Sequence, residues 1–164
     1  MKICTSCVIP ETSETINFSS DGSCSICKQI DFKHTKIDWQ SRSEEFDIIL
    51  NNYKNKTKYD CIVLYSGGKD STYTLWYVVK KKKLKPLVVR YDHQFYRKNS
   101  EENRERTLNI LNVDFINFKS NFEIVKKTML ESLIRRGDFC WHCHVGIASY
   151  PLKIAIEKKI PLVI

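Results

Sequence analysis

What the chain lacks narrows it first. No apolar run approaches the ~20 residues that cross a bilayer as a helix, so no membrane-embedded role is expected. The opening residues, Met1-Lys2-Ile3-Cys4-Thr5-Ser6-Cys7, have no hydrophobic export signal, and a cytoplasmic site is the expectation. Disulfides are disfavoured there, so the cysteines are read first as metal ligands or free thiols. Acidic residues are in deficit: 19 Asp and Glu against 27 Lys and Arg give a net charge of +8. That surplus suits anionic partners such as nucleotides, sugar nucleotides or RNA, and selects none of them. Two common phosphate-binding patterns, G-x-x-x-x-G-K-[ST] and G-x-G-x-x-G, are missing. At 164 residues there is room for one domain with a core and a small appendage.

What is there centres on Cys61-Ile62-Val63-Leu64-Tyr65-Ser66-Gly67-Gly68-Lys69-Asp70-Ser71-Thr72. A β-prone run breaks into two glycines, then lysine, aspartate and serine, then helical apolar spacing. Strand, tight loop, helix is the expected order. Such a loop binds anions through free N–H groups and the helix dipole, with Lys69 among them. Two glycines permit positive φ and a close approach of backbone to ligand. The expected guest is a phosphate or pyrophosphate; the plainer alternative is a glycine turn with Asp70 or Ser71 as an ordinary cap.

Residues 1–30 hold Cys4-x-x-Cys7 and Cys24-x-x-Cys27, sixteen residues apart. That spacing fits a tetrahedral Zn²⁺ site of four thiolates. Ile16-Asn17-Phe18 reads as a short strand and Asp21-Gly22 as a turn. Thirty residues bury little, so the metal would supply the folding energy, and its two charges would leave a net charge of about +6. Residues 31–58 read as a polar connector with a helix over 41–53, its stripe Phe46, Ile49, Leu50 and Tyr53, its cap Ser41 or Ser43. Trp39 is expected to anchor in a groove, and His34 to be a solvated connector residue.

Residues 59–164 read as α/β. Strands are expected over 59–65, 86–91 and 114–118, with helices over 71–81, 100–111, 122–135 and 146–158. Thr72, Leu75, Trp76 and Val79 are expected to face the sheet; Leu108, Ile110 and Leu111 are expected to be buried. Lys80 to Lys83 fall where a helix ends, and are read as solvating that end. The alternation predicts a parallel sheet with the first strand central and the ligand at its C-terminal edge. Pro161-Leu162-Val163-Ile164 reads as a further strand cut at the last residue, as expected of a shortened chain, an early stop or a piece of a longer protein.

Ser66-Gly67-Gly68-Lys69-Asp70-Ser71 after a buried strand resembles the PP-loop of the ATP pyrophosphatase superfamily. Cys4-Thr5-Ser6-Cys7-Val8-Ile9-Pro10-Glu11-Thr12, Asp21-Gly22-Ser23-Cys24-Ser25-Ile26-Cys27, Ile37-Asp38-Trp39-Gln40-Ser41-Arg42 and Cys140-Trp141-His142-Cys143-His144-Val145-Gly146-Ile147 are similar to the N-acetyl sugar amidotransferase family. Family members are about twice as long and serve surface-polysaccharide, lipopolysaccharide and flagellin-sugar pathways. The resemblance implies a C-terminally truncated PP-loop domain behind a zinc ribbon. It implies ATP held by Ser66 to Ser71, Mg²⁺ on the phosphates, and Lys69 and Asp70 as the catalytic pair. The acetamido oxygen of a nucleotide-linked N-acetyl sugar would be adenylated with loss of pyrophosphate. Ammonia from a separate glutaminase would then displace AMP to give an acetamidino group.

Arg90-Tyr91-Asp92-His93, ending the second strand, lies where such enzymes often contact the nucleoside; Asp92 or His93 would reach it, or the group is a loop-edge polar cluster. Cys140 and Cys143 stay open between a second metal or iron–sulfur site joined by His142 or His144, redox or sulfur-carrying chemistry, and two structural thiols. Sulfur carrying would fit a tRNA sulfurtransferase of the same superfamily. The third reading is a zinc- and ATP-binding fragment with no activity of its own.

Overall fold

The computed structural model describes residues 1–12 and 15–164. It divides into two compact units, Met1–Ile49 and Leu50–Ile164. In the first, two cysteine knuckles are each closed by one antiparallel bridge, Ile3 with Pro10 and Phe18 with Cys24. The expected strand at 16–18 is thus only a bridge. Gly22 takes φ +81°, and a Cβ there would stand 2.7 Å from Thr5 Cγ2. The Thr5 N–H donates to the Gly22 carbonyl at 3.2 Å, so the second knuckle's turn lies against the first knuckle.

Helix α1 (Ser25–Thr35) starts at Cys24 and buries no residue, with Ile30 and Phe32 left exposed. It therefore shows no apolar stripe, and the sequence reading passed over it. Helix α2 (Trp39–Tyr53) is capped by Asp38, whose carboxylate accepts from the Ser41 N–H at 3.0 Å. The cap is neither Ser41 nor Ser43: an aspartate three residues before that N–H fits the capping geometry. Trp39 is 59% exposed, with its indole N–H donating to the Lys33 carbonyl at 2.9 Å, so it fills no groove.

The second unit is built on parallel strands β1 (Cys61–Leu64), β2 (Pro86–Asp92) and β3 (Asp114–Lys119), in that spatial order. Cys61 pairs with Pro86 and Leu87 with Asp114. On the other edge of β1 lie residues 161–164. Ile62 donates to Leu162 at 2.8 Å, Ile164 back to Ile62 at 2.8 Å, and Leu64 to Ile164 at 3.1 Å. β1 is therefore interior to the sheet, as expected.

Successive residues of a strand face opposite ways. Ile62, Leu87 and Val89 meet Ile154, Ala155 and Ile160 in one core cluster, with Ile154 and Ala155 carried by α6 (Trp141–Lys158). Val63 and Val88 point to the opposite face and are also fully buried. Burial on both faces is why these strands read as unbroken apolar runs.

Helix α3 (Lys69–Trp76) widens into a π-helical turn, Tyr77–Lys81, in which the Lys82 N–H reaches back to Tyr77. The wider turn shifts the stripe: Leu75 and Val78 are buried, while Trp76 stays 37% exposed. Helix α4 (Lys98–Leu111) starts before Ser100 and buries Leu108 and Leu111 but leaves Ile110 exposed. Helix α5 (Phe122–Arg136) has Asn121 as its cap and ends at Gly137 with φ +68°. Helix α6 starts at Trp141, five residues earlier than Gly146, and carries Pro151 inside it.

Asp60, 2% exposed, fixes the entry to β1. Its carboxylate accepts from the Asn55 N–H at 2.5 Å and the Lys85 N–H at 2.7 Å. Asp60→Asn puts an NH₂ group against one of those donors and is expected to lose about 2–3 kcal/mol, read by urea unfolding. A loss under about 0.5 kcal/mol would show that these two bonds do not hold the strand entry.

Candidate functional site

In the first unit the sulfurs of Cys4, Cys7, Cys24 and Cys27 all lie within 4.8 Å of one another. Cys4 Sγ is 3.9 Å from Cys27 Sγ, and Cys7 Sγ is 3.6 Å from Cys24 Sγ. Four thiolates at about 2.3 Å from one Zn²⁺ stand about 3.8 Å apart, so the set fits that ion. Backbone N–H groups already point at sulfur: Cys24 to Cys4 at 3.2 Å, and Ser6 to Cys4 at 3.4 Å. N–H bonds from Cys7 first, then Ser6 and Cys24, bring the Cys4 thiol down to about 6. Cys27 goes the other way, pushed up to about 12 by the Cys7 thiol and by burial. Four crowded sulfurs cannot all ionise alone; a divalent cation is what would let them.

In the second unit β1 ends at Leu64, and the Tyr65 N–H still donates to the Val89 carbonyl at 3.0 Å. Gly67 then takes φ +84°, the left-handed region where glycine is favoured. Gly68 differs from expectation: its φ of −77° and ψ of 172° are open to any residue. A Cβ on Gly68 would meet only Ser66 Oγ, at 3.5 Å, so no neighbour within the protein demands glycine there either.

Gly68 starts α3 with no side-chain cap, which leaves the first-turn N–H groups available. Ser71 does not cap either; its Oγ donates to the Gly68 carbonyl at 3.2 Å and lies 3.0 Å from Ser66 Oγ. Lys69 and Asp70 are exposed in that first turn, and among the described residues neither is ion-paired. Beside the loop is a cavity of about 290 Å³ at the C-terminal ends of β1 and β2, lined by Tyr65, Ser66, Ser71, Arg90, Tyr91 and Ile147 among others. Six residues, Ser66 to Ser71, thus come together at the edge where ligands bind in open parallel sheets.

Arg90 was not singled out alone in the sequence, yet it lines this cavity at 1% exposure. Glu101 holds it with two bonds, 2.9 and 3.2 Å, and Tyr96 lies 3.7 Å beneath its guanidinium. An arginine amid Leu87, Val88 and Val89 was the available signal. Asp92 is engaged, accepting from the Gln94 N–H at 2.7 Å and from Asn117 at 3.2 Å. His93 accepts the Phe95 N–H at 3.0 Å and stacks on Tyr96, and burial holds its imidazole below the usual range. The four residues form a tied polar cluster at the strand end.

Cys140 and Cys143 lie at the start of α6. Asp138 accepts the Cys140 N–H at 2.8 Å, and the Cys143 N–H donates to the Cys140 carbonyl at 2.9 Å. Burial pushes the Cys143 thiol up, and Cys140 adds to it. Burial also pushes the Tyr91 phenol up, with Cys143 contributing; Cys143 precedes by three residues on α6 the Gly146 that packs on the Tyr91 ring. Cys61 sits at the opposite end of the sheet, its thiol pushed up to about 12 by burial. Sequence reasoning missed Gly146: a Cβ there would lie 2.5 Å from the Tyr91 ring, so glycine is what lets that ring lie against α6.

Comparison with known proteins follows the same lines. A family model for the diphthamide synthase N-terminal domain matches residues 59–128, from the approach to β1 into α5. Together with the loop, that match supports the PP-loop superfamily, a class of ATP-using enzymes, for the α/β unit. The chain is 30% identical over 142 residues to an uncharacterized protein of Methanocaldococcus jannaschii, covering 85% of this chain. It spans about half the length of that curated relative, 50%. A solved NH₃-dependent NAD synthetase from Campylobacter jejuni, in complex with nitrate, is 19% identical with a TM-score of 0.48. That likeness covers 74% of this chain and 54% of that one.

Two outcomes are expected. The purified protein should carry about one zinc per chain by metal analysis, and Cys24→Ser should lose it; unchanged zinc would remove the four-thiolate assignment. Gly68→Val should fold, since its backbone angles suit any residue, yet lose ATP binding by calorimetry. Retained binding would place the nucleotide elsewhere.

Proposed function

We propose that this chain forms the ATP-binding part of an N-acetyl sugar amidotransferase. The observation that carries the reading is the uncapped start of α3 beside Gly67 and Gly68, with Lys69 and the cavity lined by Tyr65, Arg90 and Tyr91. In the mechanism, free N–H groups of the loop and Lys69 hold the β- and γ-phosphates and take up the charge that grows on pyrophosphate. Mg²⁺ would share that charge, and Asp70 in the first turn is placed to orient it. The acetamido oxygen attacks the α-phosphorus; the bond to pyrophosphate breaks as the new P–O bond forms. Ammonia then adds to the imidate carbon. The C–O bond to AMP breaks, and a proton leaves the new nitrogen to give the amidine.

Adenylation is needed because an amide carbonyl is a poor electrophile and its oxygen a poor leaving group. A nucleotide-linked N-acetyl sugar is the proposed substrate, and a glutaminase with an ammonia-passing partner the proposed source of nitrogen. A cytoplasmic place, and a role in surface polysaccharide or lipopolysaccharide synthesis, belong to the same reading. The zinc knuckles are structural in it, since four protein ligands leave no open position.

A second reading draws on one observation: Cys143 lies on α6 three residues before Gly146, which packs on Tyr91 of the candidate nucleotide cavity. A thiol there suits sulfur transfer to an adenylated base, hence a tRNA sulfurtransferase. Phosphorus NMR of the reaction run by the full-length protein to which this part would belong tests the shared step: ATP with Mg²⁺ and a UDP-N-acetyl sugar is expected to give AMP and pyrophosphate. ADP as product would overturn both readings. Pyrophosphate release that needs tRNA instead of the sugar, with steep salt dependence, would select the second.

A further inference from the structure

A second cavity, about 250 Å³, has Tyr91 in its wall, as the first does, together with Thr128, Trp141, His142 and Ser149. His142 is 8% exposed, and neither Nδ1 nor Nε2 has a hydrogen-bond partner among the described residues. A neutral imidazole has one donor and one acceptor nitrogen, and buried polar atoms are rarely left unmade in native proteins. The unpaired ring therefore points to a guest.

The other polar groups in the wall say what kind. Thr128 Oγ1 donates to the Ile124 carbonyl at 2.9 Å, and Ser149 Oγ donates to the Val145 carbonyl at 2.7 Å. Each hydroxyl has a single proton, already engaged on its own helix, so each offers a guest lone pairs only. Among the described residues no charged side chain lines the cavity. Arg136 is outside that lining, its guanidinium 5.1 Å from the centre of the Trp141 ring. A small guest with several N–H bonds and one lone pair finds two hydroxyl oxygens and the His142 ring as acceptors, while Ser120, Tyr91 and Trp141 of the same wall carry donors for the lone pair.

We propose that this cavity binds ammonia, with its ammonium form, through Thr128, His142 and Ser149. The inference rests on the preceding reading, in which ammonia is the nucleophile, and adds where it is held: beside Tyr91, which also lines the nucleotide cavity. Gly146 belongs to the arrangement because its missing side chain lets the Tyr91 ring stand between α6 and the strand end.

The test is NMR of the chain labelled at its four histidines, titrated with ammonium chloride against potassium chloride at matched ionic strength and pH. Potassium has ammonium's size and no N–H bonds. A saturable shift of the His142 ring with ammonium alone is expected. It should weaken about tenfold in T128V/S149A, which removes two acceptors of a charged donor. Equal shifts with both salts, no saturation, or undiminished binding in the variant would overturn the proposal. Should that variant not fold, the two-salt titration of the unaltered chain decides alone. ATP with Mg²⁺, added to a separate sample labelled throughout its backbone amides, reports on Lys69 to Ser71. A response there with His142 unmoved removes only the ammonia cavity; the reverse removes the ATP reading and leaves the cavity.

Discussion

The α/β unit depends on one constraint: β1 is hydrogen-bonded along both edges, to β2 on one side and to residues 161–164 on the other. A four-residue strand held that way has no freedom to slide or fray. Its last carbonyls and the Tyr65 N–H are still in the ladder when the chain turns. Whatever follows Leu64 is therefore launched from a fixed point in the interior of the sheet. The turn at Gly67 and the uncapped start of α3 inherit that fixity, which is what a phosphate site needs from backbone groups that cannot be repositioned one at a time.

Having neighbours on both sides also explains where the cavity lies. Chain connections leave β1 toward β2 and come back, through α6, to its other edge. Between those two directions the C-terminal ends of the strands are left uncovered, the usual place for ligands in such sheets. Arg90 then has a consistent place. It is the cation at the floor of that opening, already tied to Glu101 and stacked on Tyr96. A guanidinium held so firmly sets the local field and shape, while Lys69, exposed in the first turn of α3, is ion-paired with none of the described residues.

Much of this was legible because the signals are local. The knuckles are visible from cysteine spacing, and the buried strands from runs such as Ile62-Val63-Leu64. The loop shows itself in adjacent glycines before a helical pattern. What was not legible depends on distant partners. α1 buries nothing, so no stripe marks it. The π-turn after Trp76 arises from how α3 meets the sheet, and it moves burial from Val79 to Val78. Asp60 looks like any loop aspartate until Asn55 and Lys85 N–H groups are seen converging on it. Gly68 looks like a conformational glycine, and its φ shows that the backbone there is open to any residue.

His142 is the sharpest case of the same limit. Inside Cys140-Trp141-His142-Cys143 the eye goes to the cysteines, because their spacing has known chemistry. Among the described residues, however, the grouping of three or more ligand atoms is the N-terminal four, and the pair at α6 lies outside it. Of the two residues between the cysteines, His142 is the one that α6 buries, in the cavity it shares with Tyr91 and α5, its ring nitrogens without a hydrogen-bond partner among the described residues. A helix position is inward or outward by the phase of the helix, and that phase was set by where α6 begins. With the start placed at Gly146 the histidine belonged to a loop; with the start at Trp141 it becomes a second-position side chain facing the sheet end. The five residues by which α6 is longer than its apolar pattern suggested are what give the site a second polar chamber.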